Sequence, residues 1–251
     1  MTDTALTVIT DVVLLIVLVA LASLFARKPV RLSWLLAAIV IFAVYTTALL
    51  YGGKLFTLDV LQPVAQFLPK TGWNWRGKIV SILATLVMTG ITALVLKDAW
   101  ARAGFTLRQA PRSVVPALIG AALLIGISCT LEYMAHDGTD TSQATVLYEA
   151  IAPGLDEEPL FRGLLLLLLS QAFAADQSRI LCFGFAGITS SILFGAVHGL
   201  GFQNGAFLFA PLPIVYAGAT GLGLLWMRER TGSLLLPILT HNAINVALCF
   251  F

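Results

Sequence analysis

The sequence predicts an all-α, polytopic integral membrane protein of about eight transmembrane helices, and three observations carry that expectation. Of the 251 residues, 59% are hydrophobic and only 11% are charged, against about 25% charged in a soluble domain. So few ionisable groups cannot cover the surface of a water-soluble domain of this length. The apolar residues fall in runs close to the roughly 20 that a membrane-crossing helix needs. One stretch, Ile180–Met227, holds no Asp, Glu, Lys or Arg at all. The same composition excludes disorder, and a net charge of +2 gives no basic footprint for nucleic acid.

Thr4–Ala26 is the first expected span, read as a retained helix because no basic stretch or cleavage site precedes it. Leu32–Gly53, Ile79–Leu96 and Ser113–Leu131 follow. Leu55–Pro69 is too polar and short to cross and is expected to be re-entrant or interfacial, ending in the amphipathic anchors Trp73 and Trp75. A fifth helix begins near Ser142 and carries the apolar run Pro159–Ala175. Gly199, Gly201, Gly205, Pro211 and Pro213 break the long uncharged stretch into two spans joined by a short turn. Ser233–Phe251 is the eighth, and Ala217, Ala219, Gly221 and Gly223 mark where the seventh packs closely. Residues 1–141 thus form a four-helix region with its interfacial piece near 55–78, and residues 142–251 a second part of one compact unit.

Loop charge gives an orientation. Ten Lys and Arg fall on the side after spans one, three, five and seven, and four on the other. The richer side is expected to be cytoplasmic, with both termini outside. Cys129, Cys182 and Cys249 lie in apolar runs without a CxxC pair and read as small buried hydrophobes.

An ionisable residue at bilayer depth costs at least about 2.5–3.5 kcal/mol, so each needs a reason. The fifth helix carries Asp156, Glu157, Glu158 and Arg162. Glu158 and Arg162 are four apart with the acid first, the favourable order for an ion pair. Glu157, about 140° around the axis from Arg162, cannot share that pairing. A carboxylate left free in a poorly solvated cavity suits a general base. The plainer alternative is an interfacial helix start, where acids favour the dipole and Pro159 is tolerated, beginning or kinking the helix.

Phe194 and His198 share a face of the sixth span, and His241 and Asn245 a face of the eighth. Either pair alone fits interhelical hydrogen bonding. Counted at 1.5 Å per residue from the basic side, however, Glu157 lies about 28 Å deep from Asp176 and His198 about 27 Å from Ile180. His241 and Asn245 lie about 17 and 23 Å from Arg230. Four polar side chains from three helices can therefore meet in one half of the bilayer, which favours a shared hydrated site.

Glu157-Glu158-x-x-x-Arg162, Phe194-x-x-x-His198 and His241-x-x-x-Asn245 resemble the EExxxR, FxxxH and HxxxN motifs of the CAAX protease and bacteriocin-processing (CPBP, or Abi) family. The resemblance covers about Ser142–Phe251. It implies an intramembrane endopeptidase of the CAAX-protease type, with Glu157 and His198 activating water and His241 and Asn245 stabilising the oxyanion. Glu158, Arg162 and Phe194 would support them. No cofactor is implied on that reading; a metalloprotease reading would make Glu157, His198 and His241 the zinc ligands. Expected partners are membrane lipid and a peptide or protein substrate with a membrane-proximal segment, and the expected location is a bacterial plasma membrane. The resemblance implies a site open to the cytosol, whereas the loop count puts the motif-bearing half outside. The sequence lacks HExxH, GxGD and GxSG, the marks of other intramembrane proteases. The competing class is non-catalytic: a bacteriocin-immunity or scaffold protein, or a small ion-coupled transporter using the same cluster.

Overall fold

Among the described residues of the structure, a computed structural model, four helices are long and apolar enough to cross a membrane, and they come first along the chain. The structure describes residues 2–69, 71–135, 138–174, 179–180 and 182–251. Ala175 and Asp176, taken above at the end of the fifth span, lie outside the described residues. Helix α1 (Asp3–Phe25) starts at Thr2, whose hydroxyl accepts from the Ala5 N–H. Helix α2 (Leu32–Tyr51) runs through 3-10 turns at Gly52–Thr57 and Asp59–Leu61 into the short α3 (Gln62–Phe67). No helix in that connection is long enough to cross. Helix α4 (Trp75–Val95) is capped by the Asn74 side chain on the Gly77 N–H. It begins a turn earlier than expected and so takes in Lys78. Helices α5 (Ala99–Arg102) and α6 (Val114–Ala135) complete this part.

Helix α7 (Gln143–Glu158) begins where the sequence places it, with the Ser142 hydroxyl accepting from the Thr145 N–H at 3.3 Å. Pro159 neither starts nor stops it. The chain widens into a π-helical segment, Pro159–Leu165, and continues as α8 (Leu166–Ala172). Proline has no N–H to give to the regular ladder, and a wider local repeat absorbs that loss. The short strands β1 (Arg179–Ile180) and β2 (Phe183–Gly184) lead into α9 (Phe185–Val197).

The expected short turn before the next helix is a β-hairpin, β3 (Leu200–Gln203) and β4 (Ala206–Phe209). Asn204 and Gly205 both hold positive φ, 54° and 77°, as a two-residue hairpin turn requires. The hairpin is fastened to the start of α1: the Phe202 N–H donates to Thr7 Oγ1 at 3.0 Å and the Gly205 N–H to the Asp3 carboxylate at 3.2 Å. Helices α10 (Pro211–Thr231) and α11 (Leu235–Leu248) follow. At 1.5 Å per residue, α9 and α11 are only about 20 Å long, short of the roughly 30 Å hydrocarbon core. Length and composition therefore identify four candidate crossings among the described residues, against the eight expected.

The π segment and α8 form the central element. Leu160, Leu164, Leu165, Leu168 and Leu169 are fully buried against Leu15, Val19, Phe42, Leu193 and Phe194 from α1, α2 and α9. A helix apolar all round is one packed on every side, which accounts for the leucine run. Helix α10 packs on α9 through glycines. A Cβ on Gly195 would stand 2.5 Å from the Ile214 carbonyl oxygen and 2.8 Å from the Gly218 Cα, backbone atoms that cannot swing aside. Gly195→Ala is expected to lower thermal stability in detergent by about 1–3 kcal/mol of overpacking. Ala217 and Gly221 lie in this contact, but Ala219 is exposed, because two residues along a helix point about 200° apart. Cys182 is likewise exposed rather than buried.

Lys78 is buried, as is Arg228, whose Nη2 donates to the Arg102 carbonyl at 2.7 Å. Neither is a loop charge, yet removing one from each side leaves the sign of the basic imbalance unchanged.

Candidate active site

The end of α7 carries three consecutive acids, and the structure gives each a different set of partners. Asp156 is fully buried and structural: its carboxylate accepts from Tyr45 Oη at 2.8 Å and Ser81 Oγ at 2.5 Å, and pairs with Lys78 Nζ at 2.9 Å. It ties α2 and α4 to α7. Glu158, also fully buried, pairs with Arg162 at 2.9 Å as the spacing predicts. The same Oε1 accepts from His241 Nδ1 at 2.8 Å.

Glu157 is not the free carboxylate expected. Lys78 Nζ lies 2.6 Å from its Oε1, because α4 starts early enough to bring that lysine level with the end of α7. The other oxygen, Oε2, is buried without a hydrogen-bond partner among the described residues. It faces two imidazoles, His198 Nε2 at 3.7 Å and His241 Nε2 at 3.9 Å. Both gaps are too long for a direct hydrogen bond.

The histidine orientations follow from their second nitrogens. His198 Nδ1 sits 2.6 Å from the Phe194 carbonyl oxygen, which can only accept, so Nδ1 carries the proton and Nε2 of the neutral ring offers a lone pair. Phe194 also lies tilted against His198 with ring centroids 4.6 Å apart, meets His241 edge-on at 5.9 Å and lies under the Arg162 guanidinium at 4.0 Å. It is the partition that fixes both imidazoles and the arginine.

Asn245 lines the same cavity of about 300 Å³ as Glu157, His198 and His241. Its amide is not wholly available, since Nδ2 donates to Glu149 Oε2 at 2.8 Å. One of the two amide protons remains. Asn242, one residue beyond His241, instead accepts from the Gly154 N–H at 2.7 Å. A Cβ on Gly154 would lie 2.7 Å from the Ile238 carbonyl oxygen, so this glycine lets α11 dock on α7. Trp73 and Trp75, expected as interfacial anchors, pack on Tyr148 at 4.7 and 5.2 Å, and Trp73 Nε1 donates to Thr145.

All four motif residues from three helices therefore meet at one cavity. Lys78, Tyr45, Ser81 and Glu149 were missed. Lys78 was legible, since the cost argument applied to the acids applies equally to a lysine in an apolar helix. Tyr45, Ser81 and Glu149 have no sequence pattern that links them to the motifs.

Lys78 already supplies the cation that Glu157 would share with zinc, and no group of three His, Cys, Asp or Glu among the described residues is placed to hold an ion.

A carboxylate oxygen without a partner, set against two imidazoles at the wall of a cavity, has the parts of an acid–base site. Residues 140–247 match the family described as type II CAAX prenyl endopeptidase, Rce1-like, the segment that carries all three motifs. No curated protein and no solved structure matches the chain.

Proposed function

We propose that the chain is an intramembrane endopeptidase that hydrolyses a peptide bond in or next to the bilayer with water held between Glu157 and His198. The observation that carries this reading is the unpartnered Glu157 Oε2 facing His198 Nε2 at 3.7 Å. Two lone-pair sites cannot bond each other, but one water can donate an O–H to each. Its oxygen lone pair then points away from both, towards a carbonyl carbon in the cavity. Attack forms the tetrahedral intermediate while a proton passes to Glu157 or His198, and that proton returns to the leaving amine.

The developing oxyanion needs donors about 3 Å away. His241 would supply one from Nε2 when its ring carries a second proton, its Nδ1–H being held by Glu158. Asn245 supplies its second amide proton, with Glu149 fixing the amide plane. Lys78 holds Oε1 and so aims Oε2 at the water. Helices α7 through α11 would add the remaining crossings to the four long helices, the short α9 and α11 being met by local thinning of the bilayer.

Lys78→Met leaves two buried carboxylates without their cation. It is expected to cost about 3–5 kcal/mol of stability, read as a lowered midpoint in thermal unfolding, with Lys78→Arg recovering part of it. The function is tested with purified protein in bilayer nanodiscs and a fluorogenic library of membrane-peptide substrates. Cleavage at a defined internal bond, located by product mass, supports the reading. A protein that cuts no library member but moves an ion across vesicles would replace it with transport.

A further inference from the structure

A second cavity, of about 150 Å³, touches the same glutamate and histidine. It lies among α1, α2 and the end of α9, lined by Thr7, Asp11, Tyr45 and Thr46 among others. Of its lining residues it shares only Glu157 and His198 with the larger cavity. The two side chains form a wall with a chamber on each side.

Asp11 decides what fills the smaller one. It sits in the middle of a membrane-crossing helix, is 5% exposed, and its Oδ1 has no hydrogen-bond partner among the described residues. Glu157, which lines the same chamber, leaves its Oε2 without one as well. A buried polar oxygen left unsatisfied costs about 1–3 kcal/mol, more when charged, and two on one cavity are a demand for donors that protein atoms do not meet. Tyr45 gives its proton to Asp156 and Thr46 gives its own to the Phe42 carbonyl, so neither supplies one. Water does, and at about 30 Å³ each several molecules fit with acceptors on both ends.

We propose that this chamber is a water-binding site that feeds the hydrolytic position, with Asp11 as its anchoring group and the larger cavity left to the peptide. The assignment of a role in hydrolysis rests on the function proposed above; the hydration of the chamber does not. Asp11 is a positioning residue, acting on the reaction only through the water it holds. Neither Asp11 nor Thr46 lies in the family-matched segment. The β3–β4 hairpin, bonded to Thr7 and Asp3, keeps α1 in place as the chamber's outer wall.

The test uses full-length protein with Cys129, Cys182 and Cys249 replaced by alanine, carrying Thr46→Cys or Val44→Cys. Val44 lies at nearly the same depth on α2 but is 44% exposed on its outer face. In liposomes, 2-aminoethyl methanethiosulfonate should modify Thr46→Cys at least about tenfold faster than Val44→Cys, because only a hydrated thiol ionises and reacts. Equal rates, or no reaction at Thr46→Cys, overturn the chamber. With a peptide cleaved by wild type, Asp11→Leu should lower kcat about tenfold at unchanged KM, less than the roughly 10²–10⁴-fold for loss of a general base, and Asp11→Asn should restore it. A wild-type kcat in Asp11→Leu overturns the feeding role. Failure of the hydrolysis reading itself would show separately, as no library peptide cut by wild type with Thr46→Cys still labelled.

Discussion

Glu157→Gln is expected to remove cleavage, by about 10²–10⁴-fold or more in kcat, while the protein still folds. The substitution keeps the side chain's shape but replaces one carboxylate oxygen with a group that cannot take the water's proton. The fold survives because Lys78 retains Asp156 at 2.9 Å, so no buried charge is left alone. An unchanged thermal midpoint together with lost turnover is the signature. Full turnover would remove Glu157 from the chemistry.

Arg162→Ala is expected to have the opposite profile, a large loss of stability before any effect on chemistry. Arg162 is 1% exposed, pairs with Glu158 at 2.9 Å and lies over the Phe194 ring. Removing it strands the Glu158 carboxylate with only His241, at a cost of about 3–5 kcal/mol, out of a total stability that is typically 5–15 kcal/mol. Expression and detergent stability should fall sharply. Adding Glu158→Gln to Arg162→Ala should recover part of the loss, because it removes the stranded charge; additive damage in the double variant would mean the two residues act independently.

The motif residues were legible because helical spacing is a geometric fact of sequence. Four residues apart placed Glu158 on Arg162 and Phe194 beside His198, and the structure keeps both. The depth count also brought His198 and His241 within 4 Å of Glu157. What spacing cannot give is a partner from a distant helix. Glu157 looked free because Lys78 is 79 residues away, and Asn245 looked like an open donor because Glu149 is 96 residues away. The hairpin at Leu200–Phe209 was hidden for another reason. Its Asn204-Gly205 turn is a hairpin signal, but it sat in an uncharged run already assigned to two spans. Pro159 misled in the other direction, since a π-helical repeat carries the chain on through a proline that was expected to begin or kink the helix.

Glu157 as the base of a hydrolytic site that works without a metal is tested most directly by the cleavage rate of one library-selected peptide. The rate is taken for wild type and Glu157→Gln, each with and without a strong chelator. Wild-type cleavage should persist through chelation, and Glu157→Gln should be inactive in both conditions. Cleavage abolished by the chelator and restored by zinc, or equal rates in wild type and Glu157→Gln, would contradict it.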